Sequence, residues 1–76
     1  MPYNSRSFGI VISRLRTERG LSQEQMSGLA GISRSHLAML ENGKKTVRLD
    51  TLWKIADALE MSAGVLVTLT EQEKPD

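Results

Sequence analysis

Cysteine is absent from the chain, so neither a disulfide framework nor a cysteine-based zinc site can hold it together. Histidine occurs once, as His36, with no Cys or carboxylate pair at ligand spacing, and no metal site is expected. Nothing supplies a nucleophile–base pair or a Gly-rich phosphate loop, so the chain is not expected to be an enzyme and no cofactor is implied. No apolar run approaches the length of a membrane span, and the opening MPYNSRSFG lacks a signal-peptide layout. The expectation is a soluble, cytoplasmic chain with no membrane partner. Low-complexity tracts, domain-sized repeats and interdomain linkers are missing as well. What is there is a single domain of 76 residues, with a core near the lower limit of self-sufficiency. Helix packing must supply its stability, and a partner chain can add to it.

The net charge of +1 hides an uneven distribution. Residues 1–48 carry eight Lys or Arg against three Glu, a balance of +5. Residues 49–76 carry two Lys against six acids, a balance of −4. One end suited to a polyanion and one turned away from it would give this pattern; a chance dipole is the plainer alternative.

One cassette recurs: an apolar residue, a serine, and a second apolar residue four positions after the serine. It occurs at Leu21-Ser22 with Met26, Ile32-Ser33 with Leu37, and Met61-Ser62 with Leu66. Serine at an N-cap satisfies an orphan backbone N–H, and the flanking apolar pair forms a hydrophobic staple. Gln25 completes a capping box with Ser22. Ahead of these starts, Phe8, Val11, Ile12 and Leu15 have helical spacing and Gly20 supplies a stop. Between the second and third starts, Leu49, Leu52, Ile55, Ala56 and Leu59 form one broad stripe. The fold class is therefore all-α, a compact bundle of about five short helices, expected over 6–18, 23–30, 34–41, 49–59 and 63–69. Residues 65–70, VLVTLT, pull two ways: the Ser62 cap favours a helix, while alternating β-branched residues favour a strand. We read a helix start that gives way to an extended tail, against a wholly helical end. The core spans about 6–69, and the tail 70–76 is expected to fray.

The two middle helices carry the function. Ser22 and Ser33 are eleven residues apart, so a helix, a tight turn and a second helix must fit one compact unit. Ser27 is small where two helices would cross. Gly31 sits where a sharp turn calls for positive φ, which glycine adopts without steric cost. Ile32, Leu37 and Leu40 then fasten the second helix to the core. This is the pattern of a helix-turn-helix.

The stretch GLSQEQMSGLAGISRSHLAMLENGKK resembles the helix-turn-helix of the lambdoid-repressor/Cro-like (Xre) DNA-binding proteins. The resemblance runs from FGIVISRLRTERG in front to LDTLWKIADALEMS behind, about residues 8–66. It implies a pair between Arg16 and Glu41, which in this family typically form a buried or half-buried ion pair. Small size also resembles the controller proteins of restriction–modification systems and the antitoxins of toxin–antitoxin pairs. Two positions depart. Arg48 stands where the family often caps the fourth helix with Ser or Thr, with Asp50 in the first turn as partial compensation through the helix dipole. Gly28, on the outer side of the second helix, has no evident packing reason.

On this reading helix 34–41 is the recognition helix, and its mixed outer face is for base edges in the major groove. Arg34 matches guanine O6 and N7, Ser35 can bond several bases, and Met39 can lie against a thymine methyl. Ser22, Gln23, His36, Asn42, Lys44, Lys45 and Arg48 are the candidates for phosphates, which fix register without carrying sequence information. Arg34, His36, Lys44, Lys45 and Arg48 have a plainer alternative as solvated surface, Met39 as peripheral packing, and Trp53 is either partly buried core or interface. The expected partners are double-stranded DNA and a second copy of the chain. Such a homodimer would bind a near-palindromic site and pair through Val65, Val67 and Leu69. The alternative is an antitoxin that also binds a toxin protein.

Overall fold

The three serine cassettes start three helices in the computed structural model, which describes residues 2–74. Ser22, Ser33 and Ser62 each accept a hydrogen bond on Oγ from the backbone N–H three residues on, at 3.0–3.1 Å. The Ser22 N–H in turn donates to Gln25 Oε1 at 2.8 Å, closing the capping box. Asn4 caps the first helix by accepting from the Arg6 and Ser7 amides. The elements are α1 (Ser5–Glu18), α2 (Gln23–Ala30), α3 (Arg34–Glu41), α4 (Leu49–Ala58) and α5 (Ala63–Gln72), with no strand among the described residues.

Four of the helix ends close alike. A residue with positive φ follows α1, α2, α3 and α4, at Gly20, Gly31, Gly43 and Glu60 respectively. The next amide bonds back to a carbonyl of the last turn, as from Leu21 to Arg16 at 3.1 Å and from Ile32 to Ser27 at 3.0 Å. This is the Schellman closure, and it consumes carbonyls that would otherwise be orphaned. Glu60 is the one non-glycine residue with positive φ among those described, at φ 56°.

α1 packs on α3 and α5, α2 packs on α3 and α4, and α4 packs on α5. Between them lie Phe8, Val11, Ile12, Met26, Leu37, Leu40, Ile55, Leu59 and Leu66, all fully buried. Burying each such side chain contributes about 1.5–3 kcal/mol, which offsets the chain entropy of a domain this small. Ser27 is buried at the α2 crossing, and its hydroxyl donates to the Glu24 carbonyl at 3.0 Å. The expected helix-turn-helix is therefore α2, the Gly31 turn and α3.

Two expectations need correction. The chain from 65 to 70 is wholly helical, and α5 continues to Gln72, so there is no extended tail at 65–70 and no fraying at 70–72. Its β-branched threonines suit a helix because Thr68 and Thr70 donate their hydroxyls to the carbonyls of Gly64 and Leu66, four residues back. Glu73 is also tied down, its carbonyl accepting from the Ser7 hydroxyl at 3.0 Å. The fraying expected at 75–76 falls outside the described residues. The second correction is Leu49, placed in the apolar stripe of α4 by its spacing but 69% exposed. It is the first residue of the helix, ahead of the turns that face the core.

Gly9, which the apolar spacing of α1 does not single out, permits a close crossing of α1 and α3. A Cβ on Gly9 would lie 2.5 Å from the Glu41 carbonyl oxygen and 2.6 Å from that of Leu40. α1 and α3 therefore meet backbone to backbone, which only glycine permits. A glycine inside a run of core-spaced residues, where it costs helix stability, is the one sequence signal that could have marked it.

Candidate nucleic-acid interface

α3 divides cleanly between core and solvent. Leu37 and Leu40 are fully buried, while Arg34, Ser35 and Met39 are exposed, Met39 to 43%. Ser35 and Met39 are four residues apart and so stand one above the other on the outer face. His36 is half-buried, and its amide is the one that Ser33 caps.

Behind this face a polar cluster fixes where α3 ends. Arg16 of α1 holds Glu41 with two bonds, Nε to Oε2 at 2.7 Å and Nη2 to Oε1 at 3.1 Å. The side chains are only 16% and 5% exposed, so the pair is largely desolvated. Arg16 Nη1 also donates to the Leu21 carbonyl at 2.8 Å, and the Glu41 bonds raise its pKa above the ordinary arginine value. Gln23 Nε2 donates to Glu41 Oε1 at 3.0 Å, which joins the first turn of α2 to the last of α3. Gln23 thereby joins the Arg16–Glu41 pair, and the loop 42–48 leaves α3 directly after Glu41. The side-chain amide of Gln23 is partly committed to this cluster.

The cations before residue 49 sort into two groups. Arg14 pairs with Glu73 at 2.7 Å, Arg16 with Glu41, and Arg19 donates to the Leu59 carbonyl at 2.9 Å and the Leu15 carbonyl at 3.3 Å. The side chains of Arg34, Lys44 and Lys45 are exposed and have no hydrogen-bond or ion-pair partner among the described residues. Arg48 has only a loose contact with Asp50 at 3.4 Å, both side chains well exposed. Arg6 is engaged as well, so the cations before residue 49 whose side chains lack a partner among the described residues all lie on α3 and the loop that follows it. No side-chain bond caps α4, while Asp50 sits in its first turn and accepts from the Thr51 amide at 2.9 Å.

A second, apolar surface lies on α4 and α5. Val65 and Val67 are 50% and 41% exposed, whereas Leu69 packs against the core. Val67 and Leu49 share a groove of about 470 Å3 with Tyr3, Phe8, Val47 and Leu52. Trp53, 58% exposed, is not core and stands one turn on from Leu49. The sequence reading missed Leu49 as part of this surface because core spacing does not distinguish the first turn of a helix from the rest. No group of three or more His, Cys, Asp or Glu that could hold a metal occurs among the described residues. Among the described residues no helix is long and apolar enough to cross a membrane.

Comparison with known proteins fits this geometry. A protein-family model described as Helix-turn-helix matches residues 12–66. An uncharacterized HTH-type transcriptional regulator, y4dJ of Sinorhizobium fredii, is 39% identical over 64 residues, covering 84% of this chain and 83% of that one. Control protein C.MunI of a Mycoplasma species is 38% identical over 65 residues, covering 84% and 80%. The crystal structure of the restriction-modification controller protein C.AhdI from Aeromonas hydrophila superposes with a TM-score of 0.79 at 37% identity, covering 82% of this chain and 94% of that one. The chain belongs to the helix-turn-helix family of DNA-binding transcriptional regulators, as the Cro-like (Xre) resemblance implied. Within it, the chain is similar to the restriction–modification controllers, and these relatives are by name regulators rather than enzymes.

Proposed function

We propose that the protein binds double-stranded DNA sequence-specifically as a homodimer, on a near-palindromic site, with α3 in the major groove. The observation that carries this reading is the sorting of cations: Arg34, Lys44 and Lys45 are left without partners on α3 and its following loop, while Arg14, Arg16 and Arg19 are committed internally. Arg34 then reads a guanine through its planar fork, Ser35 bonds a neighbouring base edge, and Met39 lies against a thymine methyl. Ser22, Gln23, His36, Asn42, Lys44, Lys45 and Arg48 hold phosphates on either side, Gln23 through its backbone amide as well as its side chain.

One α3 reads only a few base pairs, so selectivity calls for two on a two-fold axis, about 34 Å apart. Val67 and Leu49, which share a groove, with Trp53 one turn on from Leu49, are the apolar surface available for that pairing, and Val65 is exposed on another side of α5. Leu69, packed on the core, supports the interface from behind. The relatives named as controllers make control of a restriction–modification gene pair the favoured setting, and they favour a regulator over an antitoxin. Selection of bound sequences from random duplex DNA tests the reading. It should return two half-sites in inverted repeat, about one helical turn apart. Recovery of no enriched sequence would overturn sequence-specific binding.

A further inference from the structure

The loop 42–48 carries four of the phosphate candidates, Asn42, Lys44, Lys45 and Arg48, yet belongs to no helix or strand. Its beginning is tied to α3 by the closure at Gly43, with Gly43 N–H donating to the Leu40 carbonyl and Lys44 N–H to that of Met39. Beyond that closure, Val47 packs against the core, and two side-chain hydrogen bonds reach the loop from the start of the chain. The Ser5 hydroxyl donates to the Gly43 carbonyl at 3.1 Å. Gly43 lies so close to α1 that a Cβ there would stand 3.0 Å from the Arg6 Cα. The Val47 amide donates to the Tyr3 hydroxyl at 3.3 Å, across 44 residues of sequence. Tyr3 is in turn braced by Phe8, whose ring centroid is 6.5 Å away at a 47° tilt, and Phe8 is fixed in the core. The loop is therefore held at Gly43 by Ser5 and at Val47 by Tyr3, with Lys44 and Lys45 between the two ties.

We propose that Tyr3 and Ser5 are positioning residues for DNA binding, which hold Lys44, Lys45 and Arg48 in register with the phosphates without touching DNA themselves. The inference rests on the DNA-binding reading above. Its physical basis is pre-organisation: a loop already held in its bound shape loses less conformational freedom on binding. Phosphate contacts carry no sequence information, so releasing the loop must weaken all sequences alike.

The experiment uses Tyr3→Phe, which keeps the ring beside Phe8 and removes only the hydroxyl, with Ser5→Ala as the second variant. Hydrogen exchange of the Val47 amide, a thermal melt and duplex titrations at several salt concentrations are measured for each and for the parent. Tyr3→Phe should speed Val47 exchange, leave the melt close to the parent, and lower affinity for specific and random duplexes equally, about 3- to 10-fold. The log–log salt slope should become shallower by up to about 1. In a Lys44→Ala, Lys45→Ala, Arg48→Ala background the same substitution should have little further effect, because the side chains it positions are gone. A salt-dependent parent whose affinity and slope survive both substitutions overturns this proposal alone. An undiminished effect in that triple-alanine background also overturns it, since a merely structural role predicts that result. A parent that binds no duplex overturns the DNA-binding reading and this inference with it.

Discussion

Gly9 of α1 and Glu41 of α3 touch through their backbones, with room for a hydrogen but not a methyl group between them. The crossing places the end of α3 directly on α1, and Arg16 grips the same Glu41 from two turns further along. Gly9→Ala gains up to about 1 kcal/mol of helix propensity. It also drives a Cβ into two carbonyl oxygens that belong to backbone and cannot swing aside. Overpacking of this kind costs about 1–3 kcal/mol or more, so the net effect is loss of stability. A thermal melt should show a midpoint lower by several degrees. An unchanged or raised midpoint would mean that the helices separate freely at this point.

Gly28 gives the opposite result. A Cβ built on it meets nothing within 4 Å, and it lies inside α2 with no positive φ. Gly28→Ala should therefore stabilise the fold by about 0.5–1 kcal/mol, read as a higher melting midpoint. Destabilisation would show that this position touches something the isolated chain lacks.

Arg16→Ala tests the buried pair. It strands the Glu41 carboxylate, 5% exposed, with Gln23 as its remaining side-chain donor. Removing one partner of such a pair costs ~3–5 kcal/mol, a large share of what a domain of this size has. Denaturant titration should show the midpoint collapse, and a parent-like curve would refute the claim that the pair is desolvated.

How much of this was legible in the sequence depended on how local the signal was. The serine caps and the glycine closures at Gly20 and Gly31 are short-range chemistry, written within a few residues, and their helix starts and stops match to within one residue. The C-terminal helix was harder because VLVTLT carries strand propensity, and tertiary burial of Leu66 and backbone bonding by its threonines decide against it. Gly9 and the ties from Tyr3 and Ser5 to the 42–48 loop depend on segments far apart in the chain, 44 residues for Tyr3 and Val47, which periodicity does not encode. At the candidate interface, the residue types on α3 were visible, but the absence of partners for Arg34, Lys44 and Lys45 required the arrangement of every other charge.

The apolar surface on α4 and α5 gives a test of assembly. Val67 is 41% exposed and contributes little to its own core, so Val67→Asp should leave the melt of the monomer nearly unchanged while dissociating the homodimer. Sedimentation of parent and variant, with and without a palindromic duplex, checks this. A parent that stays monomeric even on DNA would defeat the two-fold model.

The most direct test of DNA reading by α3 compares Arg34→Ala with Lys45→Ala on a library of single-base variants of the selected site, at several salt concentrations. Arg34→Ala should cost about 1–3 kcal/mol on the preferred site and relax discrimination at one base pair per half-site. Lys45→Ala should weaken every sequence about equally and lower the log–log salt slope by about 1 for each phosphate it no longer neutralises. Equal effects of the two substitutions across the library, or an affinity of the parent that does not change with salt, would contradict it.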